Sequence, residues 1–137
     1  MFSWVIENKL ARGPRPRYGK KWARQVPQSA VDKWIRKAKR DYGIRSVICL
    51  LDQNSLKFYE QLPAGLLDYY RASRLEVEHI PVHLQRRLVS TRQLNSVWRA
   101  YNQLPKPVLI HCSAGIGRTG KAVSDIMRRL EIRSVSN

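Results

Sequence analysis

The sequence predicts an α/β fold in which helices flank a central, twisted and mostly parallel sheet. Short apolar runs alternate along the chain with longer segments whose apolar residues recur every three or four positions. The 137 residues have room for one hydrophobic core, and no internal repeat or low-complexity tract divides them. A glycine-containing loop joins the last apolar run to the last helical segment. We therefore predict a single domain over residues 1–137.

In the first half of the chain, two strands and a helix are predicted around a basic loop. Residues 2–6 are predicted as the first strand, and 11–21 as a stiff loop because prolines and glycines separate its arginines and lysines. Ser29 is the predicted N-cap of a helix that ends before Gly43. The apolar face of that helix consists of Val31, Trp34, Ile35 and Ala38. Residues 44–51 contain an apolar run that is typical of buried strands.

The second half continues the alternation of helices and strands. The predicted elements are two helices within 54–73 with a break at Pro63-Ala64-Gly65, a strand at 75–82, a helix at 91–104, a strand at 106–111 and a helix at 121–130. Ser90 or Thr91 caps the helix at 91–104. Its apolar stripe is formed by Leu94, Val97, Trp98, Tyr101 and Leu104.

The chain is strongly basic. It contains 26 Lys and Arg residues against 10 Asp and Glu residues, which gives a formal net charge of +16. Such a field attracts polyanions in general, whether phosphoprotein, nucleic acid or anionic membrane, and does not choose among them. A polyanionic partner and a generally basic surface without a dedicated site are both compatible with this charge.

The length of the apolar runs and the number of cysteines indicate the cellular compartment in which the protein is expected. No run approaches the roughly 18 apolar residues of a membrane span, and residues 1–10 lack the core of a signal peptide. The chain has two cysteines, which argues for a reducing compartment rather than for a disulfide framework. We expect a cytoplasmic monomer without a transmembrane segment.

Residues 111–120, with the sequence HCSAGIGRTG, are the most informative segment. They place a thiol, Cys112, six positions before a guanidinium, Arg118. The intervening glycines, Gly115 and Gly117, allow backbone N–H groups to turn inward around one point, and a helix follows. Such a nest of amides closed by a guanidinium suits a phosphate dianion. A thiol so placed has a pKa of roughly 3.5–7.5, so we predict a nucleophilic thiolate.

Spacing alone is weak evidence for this site. With 17 arginines in 137 residues, a cysteine has roughly one chance in eight of meeting an arginine six positions later. The surroundings add specificity, because an apolar run at 107–110 leads into the loop and an amphipathic segment follows it, as in a strand, loop and helix. The alternative is a structural cysteine before a basic helix.

The segment from His111 to Gly120 resembles, position for position, the signature His-Cys-x-x-Gly-x-x-Arg-Ser/Thr-Gly of the cysteine-based protein tyrosine phosphatase superfamily. The chain length and the phrase at 79–82, His-Ile-Pro-Val, are similar to the compact dual-specificity group. The resemblance implies a phosphocysteine intermediate on Cys112, phosphoryl binding by Arg118, help to the leaving thiolate from Thr119, and a loop held by His111. It implies no metal or cofactor. The implied phosphate-binding residues are Ser113, Ala114, Gly115, Ile116, Gly117 and Arg118.

The chain departs from this family at the general acid. The family uses an aspartate after the strand at 75–82, and Leu84 stands where that aspartate is expected. In a parallel sheet, Asp52 directly follows its own strand and would reach the same edge, so it is one candidate acid. His83 is a second candidate, because its unperturbed pKa near 6.5 suits proton donation. A third possibility is that no dedicated acid exists and that aryl phosphates, whose leaving groups need less help, are the better substrates.

Cys49 lies inside the apolar strand at 44–51, where two interpretations compete. Free cysteine is among the most buried residue types, so a core position is one. The other is a redox partner, since some relatives protect their nucleophile through a reversible disulfide.

The substrate is inferred from what the loop lacks. Phosphoinositide-specific relatives carry lysines in the loop, where this chain has Ala114 and Ile116, and RNA 5′-phosphatase relatives usually carry Asn where it has Gly117. We expect a phosphoprotein substrate, most of all phosphotyrosine, with phosphoserine and phosphothreonine as further candidates. The alternatives are RNA 5′ ends, which the basic charge favours, and a phosphate-binding module with little turnover.

Overall fold

A five-stranded sheet lies at the centre of the protein. The computed structural model describes residues 1–19, 25–84 and 89–136. Its strands are β1 (Ser3–Ile6), β2 (Leu10–Gly13), β3 (Ser46–Cys49), β4 (Glu76–His79) and β5 (Val108–His111). Their spatial order is β1-β2-β5-β3-β4, and all neighbours are parallel except β1 and β2. The predicted mostly parallel α/β fold is confirmed.

Helices cover both faces of the sheet. They are α1 (Gln28–Tyr42), α2 (Gln53–Leu56), α3 (Gly65–Ala72), α4 (Thr91–Gln103) and α5 (Gly117–Ser136), with a 3₁₀ turn at Lys57–Tyr59. One buried cluster joins α1 and α3 to the sheet, and a second joins α4 and α5 to its other face. Because β3 and β5 are covered on both faces, all of their residues are buried, as their apolar sequences predicted. None of the helices in the described ranges combines the length and apolar content needed to cross a bilayer.

Local signals located most helix ends correctly. The Ser90 hydroxyl accepts a hydrogen bond from the Gln93 amide, and Gln93 Oε1 accepts one from the Ser90 amide, which forms a capping box at the start of α4. Gly43 ends α1 in the left-handed conformation, with φ of 60°. The predicted Ser29 cap was wrong by two residues, since Pro27 holds that position and lets α1 begin at Gln28. The last helix begins four residues earlier than predicted, inside the phosphatase-like signature.

The segment predicted as a stiff loop at 11–21 begins with a strand instead. Leu10–Gly13 pairs in parallel with β5, and Leu10 and Ala11 are fully buried. Burial of these two side chains and the hydrogen bonds to β5 outweigh the turn-forming tendency of the residues that follow. The loop starts only at Pro14, and the predicted loop residues 20–21 lie outside the described residues.

Candidate active site

The carboxyl ends of the four parallel strands converge on the loop after β5. The Leu50 amide donates to the His111 carbonyl at 2.9 Å, and the Val82 amide donates to the Leu50 carbonyl at 3.0 Å. Arg118 joins these ends, because its Nη1 donates to the Val82 carbonyl at 2.8 Å. The residues after β3, β4 and β5 therefore meet at one edge of the sheet, as predicted.

The Cys112 thiol lies in the centre of the loop and is almost fully buried. Burial by itself raises the pKa of this thiol. The Thr119 hydroxyl and the amides of Thr119 and Gly115, which lie near the sulfur, oppose that effect, as does the charge of Arg118. The net result is a pKa below the ordinary cysteine value, which favours the thiolate. The buried Thr119 hydroxyl has no hydrogen-bond partner among the described residues, so it is available to a group that enters the site.

The Arg118 guanidinium is buried beside the thiol and forms no ion pair with a carboxylate of the described residues. Its Nη2 donates to the Ser113 hydroxyl at 3.0 Å, and its Nη1 is held by the Val82 carbonyl. The ion pairs among the described residues involve other arginines, at 71, 128 and 129. A buried guanidinium held only by neutral oxygens keeps its charge available, and its forked donors match two oxygens of a phosphoryl group.

Glycine is required at one of the two loop positions that the sequence analysis singled out. Gly115 has φ of 78°, and a Cβ added there would lie 2.3 Å from the Gly13 carbonyl oxygen. The loop therefore packs directly on the end of β2. Gly117 is different, because it is the first residue of α5 and a Cβ added there would meet nothing within 4 Å. The expected need for glycine at 117 is not present in this structure.

Arg12 on β2 is a site residue that the sequence analysis did not identify. Its Nε and Nη2 donate to the Gly115 carbonyl at 3.1 and 2.9 Å, and Nη2 also donates to the Ile116 carbonyl at 3.1 Å. In a trans peptide the N–H points opposite to the C=O. Arg12 thus turns the amides of Ile116 and Gly117 toward the opposite side of the loop. No sequence spacing indicated this contact, because the two partners are 103 residues apart.

His111 supports the backbone of the nucleophile position and is neutral. Burial, ahead of the nearby charges of Arg15 and Arg118, lowers the pKa of His111 to about 4. Its Nδ1 therefore carries the proton that is donated to the Cys112 carbonyl at 3.0 Å, and its Nε2 accepts from the Tyr70 hydroxyl at 3.0 Å. Burial raises the pKa of Tyr70, so that hydroxyl stays protonated and able to donate. The implied role of His111 in holding the loop agrees with these contacts.

Asp52 reaches the predicted edge of the sheet, but its carboxylate is already engaged. Oδ1 accepts from the Ser55 amide at 2.9 Å as the N-cap of α2, and Oδ2 accepts from the Leu84 amide at 3.1 Å. Partial burial raises the pKa of Asp52, yet these hydrogen bonds and the Arg118 charge lower it overall. A carboxyl group with a lowered pKa is ionised at neutral pH and is a poor proton donor. Asp52 ties the loop after β4 to α2, and its role as acid stays a prediction.

His83, the other candidate acid, lies on the same side of the site. It lines a surface cavity of 340 Å³ together with Asp52, Gln53, Asn54, Pro81 and Gln93. The loop that follows it was expected to hold the acid, and its residues 85–88 lie outside the described residues. The role of His83 as the acid stays a prediction.

Cys49 is a fully buried residue of β3. Its register partners are His111 on β5 and His79 on β4. Burial raises its pKa to about 12, which keeps the thiol protonated. It packs in the cluster with α1 and α3, whereas Cys112 packs in the cluster with α4 and α5. These features match a core residue, and a disulfide with Cys112 stays a prediction.

Potential metal ligands are scattered in the part of the chain that the structure describes. No group of three or more His, Cys, Asp or Glu side chains comes together there. Ser113 and Ala114 complete the loop, half-buried at its mouth, while Ile116 is largely exposed.

Solved structures with a similar fold include the following three. The PP-IP phosphatase SIW14 from S. cerevisiae, solved with citrate, is 17% identical at a TM-score of 0.59, over 94% of this chain and 65% of that one. A mutant form of Tk-PTP is 23% identical at 0.54, over 92% and 71%. PTPMT1, solved with PI(5)P, is 11% identical at 0.58, over 93% and 81%. The chain thus spans less than two thirds of the SIW14 chain.

Sequence comparison gives one family and no individual relative. No curated protein matches the chain at a significant level. The family described as "PTP-SAK: Swiss Army Knife protein, DSP-PTPase phosphatase domain" matches residues 1–130. With nearly its whole length matched, and with the fold and loop described above, the chain belongs to this DSP-PTPase family of cysteine-based phosphatases.

Proposed function

We propose that the protein hydrolyses phosphomonoesters through a phosphocysteine intermediate. The observation that carries the proposal is the pairing of a Cys112 thiol of lowered pKa with the unpaired guanidinium of Arg118. The Cys112 thiolate attacks phosphorus as the bond to the leaving oxygen breaks, and that oxygen takes up a proton. Water then attacks the phosphocysteine, releasing phosphate and the thiolate. The Thr119 hydroxyl, which is buried without a hydrogen-bond partner among the described residues, stabilises the departing sulfur by donating a hydrogen bond to it.

The rim of the site favours an aromatic phosphate ester. Tyr18, Leu84 and Ile116 are 51%, 43% and 72% exposed. They follow β2, β4 and β5, so all three stand at the carboxyl edge that holds the loop. Apolar side chains around a phosphate site suit the ring of phosphotyrosine better than the short side chain of phosphoserine. An ionised Asp52 also favours an aryl ester, because it cannot donate a proton and a phenol leaving group needs protonation of its oxygen less than an alkyl alcohol does.

Phosphate release from matched substrates tests this proposal. We expect kcat/KM for a phosphotyrosine peptide to exceed that for the same peptide with phosphoserine by at least about 10²-fold, because the alkyl leaving group needs the proton more. Equal rates on the two peptides would contradict phosphotyrosine preference. No release from either peptide or from an activated aryl phosphate, with phosphate still bound, would indicate a phosphate-binding module instead.

Arg15 favours a second candidate, a substrate with more than one phosphate. Its amide donates to the Ser113 carbonyl at 2.9 Å, and its guanidinium lies over the Phe58 ring at 4.6 Å. Nη1 donates to the Tyr59 hydroxyl, while the buried Nε has no hydrogen-bond partner among the described residues. A cation that forms no ion pair with the described residues and lies beside the loop suits a further phosphate, as in the PP-IP and PI(5)P named for two fold neighbours. Triphosphate-ended RNA is a further substrate with several phosphates. Faster phosphate release from such RNA, or from a small molecule with several phosphates, than from a phosphotyrosine peptide would favour this candidate.

The identity of the proton donor gives a separate prediction. Asp52→Asn keeps a good N-cap for α2, and we expect turnover of phosphotyrosine to change by less than about threefold, since the ionised carboxylate donates no proton. The measurement is kcat against pH for phosphotyrosine and for an aryl phosphate with a much better leaving group. His83→Asn is measured alongside. A loss of about 10²-fold or more confined to phosphotyrosine, with disappearance of the alkaline limb, would identify the altered residue as the acid.

A further inference from the structure

A small cavity with an aromatic floor and a basic rim lies between α1 and the loop after β2. Its volume is 210 Å³. Its lining consists of Met1, Phe2, Pro14, Arg17, Ala30, Lys33, Trp34 and Lys37. The Phe2 and Trp34 rings meet edge to face with centroids 5.2 Å apart, and each is 8% exposed. We call this feature the α1 cavity.

The cations at the rim of the α1 cavity, Arg17, Lys33 and Lys37, form no ion pair with the described residues. Asp32, next to Lys33, is hydrogen-bonded to the Tyr69 hydroxyl. The exposed face of α1 adds further cations, namely Arg36, Lys39 and Arg40. The charge of the rim is therefore complementary to an acidic ligand.

The α1 cavity shares its wall with the support of the phosphate loop. Pro14 lines the cavity, and its nitrogen would lie 2.9 Å from a Cβ added to Gly115. The Trp34 indole donates to the Pro14 carbonyl at 2.8 Å, and its ring lies 5.4 Å from the His111 ring. Among the described residues, Pro14 and its neighbours separate the phosphate loop from the cavity, so a peptide bound at the loop could extend across them into the cavity.

We propose that the α1 cavity is an exosite for an acidic segment of a phosphoprotein substrate, which inserts one apolar or aromatic side chain. The proposal rests on the function proposed above. Acidic residues of the segment pair with Arg17, Lys33 and Lys37, and the inserted side chain packs on Phe2 and Trp34. The volume is below the roughly 300–1,000 Å³ of small-molecule sites, which suits a single side chain.

Other polyanions fit this feature less well. Nucleobases stack on exposed aromatic faces, whereas Phe2 and Trp34 are nearly buried at the floor of the cavity. A membrane-bound helix exposes apolar residues toward the lipid, whereas the exposed face of α1 is dominated by lysine and arginine. A peptide with acidic residues beside an apolar side chain can both pack that side chain on the aromatic floor and pair its carboxylates with the basic rim.

Two matched phosphotyrosine peptides test the exosite. One carries acidic residues and a leucine beside the phosphotyrosine, and the other carries serines and glycine in those places. We expect wild-type kcat/KM to favour the acidic peptide by about tenfold, mainly through KM, and to lose that preference at high salt. Lys33→Glu combined with Lys37→Glu should remove the preference. Hydrolysis of a small aryl phosphate should stay unchanged, because that substrate does not reach the cavity.

Two further variants test the shape of the cavity separately from its charge, and the cations at the cavity separately from other cations on α1. Ala30→Phe fills the cavity without changing charge, and we expect it to weaken the preference for the leucine-containing peptide. Lys39→Glu combined with Arg40→Glu changes the net charge of α1 as much as the Lys33 and Lys37 pair does, but at positions outside the cavity. This variant should keep most of the preference for the acidic peptide. Thermal unfolding confirms that each variant is folded.

The outcomes distinguish the exosite from the proposed function. If the wild type hydrolyses the aryl phosphate and both peptides equally well, the exosite is wrong and the phosphatase proposal stands. Equal loss of preference in both charge-reversal pairs would also overturn the exosite. If RNA or anionic vesicles compete through Lys33 and Lys37 while the acidic peptide shows no advantage, the cavity serves a different polyanion. Absence of release from every substrate contradicts the proposed function itself.

Discussion

Cys112→Ser is expected to abolish phosphate release while phosphate and vanadate still bind. The loop lowers the pKa of the Cys112 thiol, so the wild type presents a thiolate, whereas a serine hydroxyl is not ionised at neutral pH. The phosphate contacts from Arg118 and the loop amides do not depend on the sulfur. Turnover of an aryl phosphate measures the first expectation, and calorimetric titration with vanadate measures the second.

A cysteine control and a pH profile sharpen this prediction. Cys49→Ala removes the other thiol, which is buried with its pKa raised to about 12, and should leave turnover intact if the variant folds. Because the Cys112 pKa is lowered, alkylation of wild-type Cys112 by iodoacetamide should reach its plateau at a lower pH than alkylation of an ordinary thiol. Residual activity above a few per cent in Cys112→Ser would rule out the covalent mechanism.

Arg118→Lys is expected to lower turnover by roughly 10²-fold or more, while the site keeps its positive charge. The guanidinium holds the Val82 carbonyl and the Ser113 hydroxyl with two different nitrogens, and this fixes its plane in the site. An ammonium has a single nitrogen and cannot both hold these oxygens and present paired donors to a phosphoryl group. Steady-state kinetics on an aryl phosphate should therefore show a fall in kcat and not only a rise in KM.

A matched arginine provides the control for Arg118. Arg45→Lys changes the same side chain at an exposed position before β3 and should leave both kcat and KM near their wild-type values. Near-normal kcat in Arg118→Lys would mean that the bidentate geometry is not used in the transition state. Vanadate affinity, measured on the same variant, separates a loss of oxyanion binding from a loss of fold.

Local sequence determined much of the architecture of this protein. The capping box at Ser90 and Gln93 and the left-handed Gly43 act within a few residues of their own position, so they were readable without a structure. The continuous apolar runs of β3 and β5 likewise indicated strands buried on both faces. The loop from Cys112 to Arg118 was identified in the same way, because its chemistry is held in adjacent residues.

Contacts between distant segments decided the rest. Arg12 meets Gly115 across 103 residues, and Leu84 meets Asp52 across 32, so no local pattern foretold the strand β2, the support of the loop or the engaged carboxylate. Protonation states depended on the same kind of contact. Burial makes His111 neutral, whereas nearby donors and the Arg118 charge outweigh burial and lower the pKa values of Cys112 and Asp52. The sequence by itself determined which groups are available for chemistry. Only tertiary packing decided their charge and direction, because desolvation and hydrogen bonding arise from neighbours that the fold brings together.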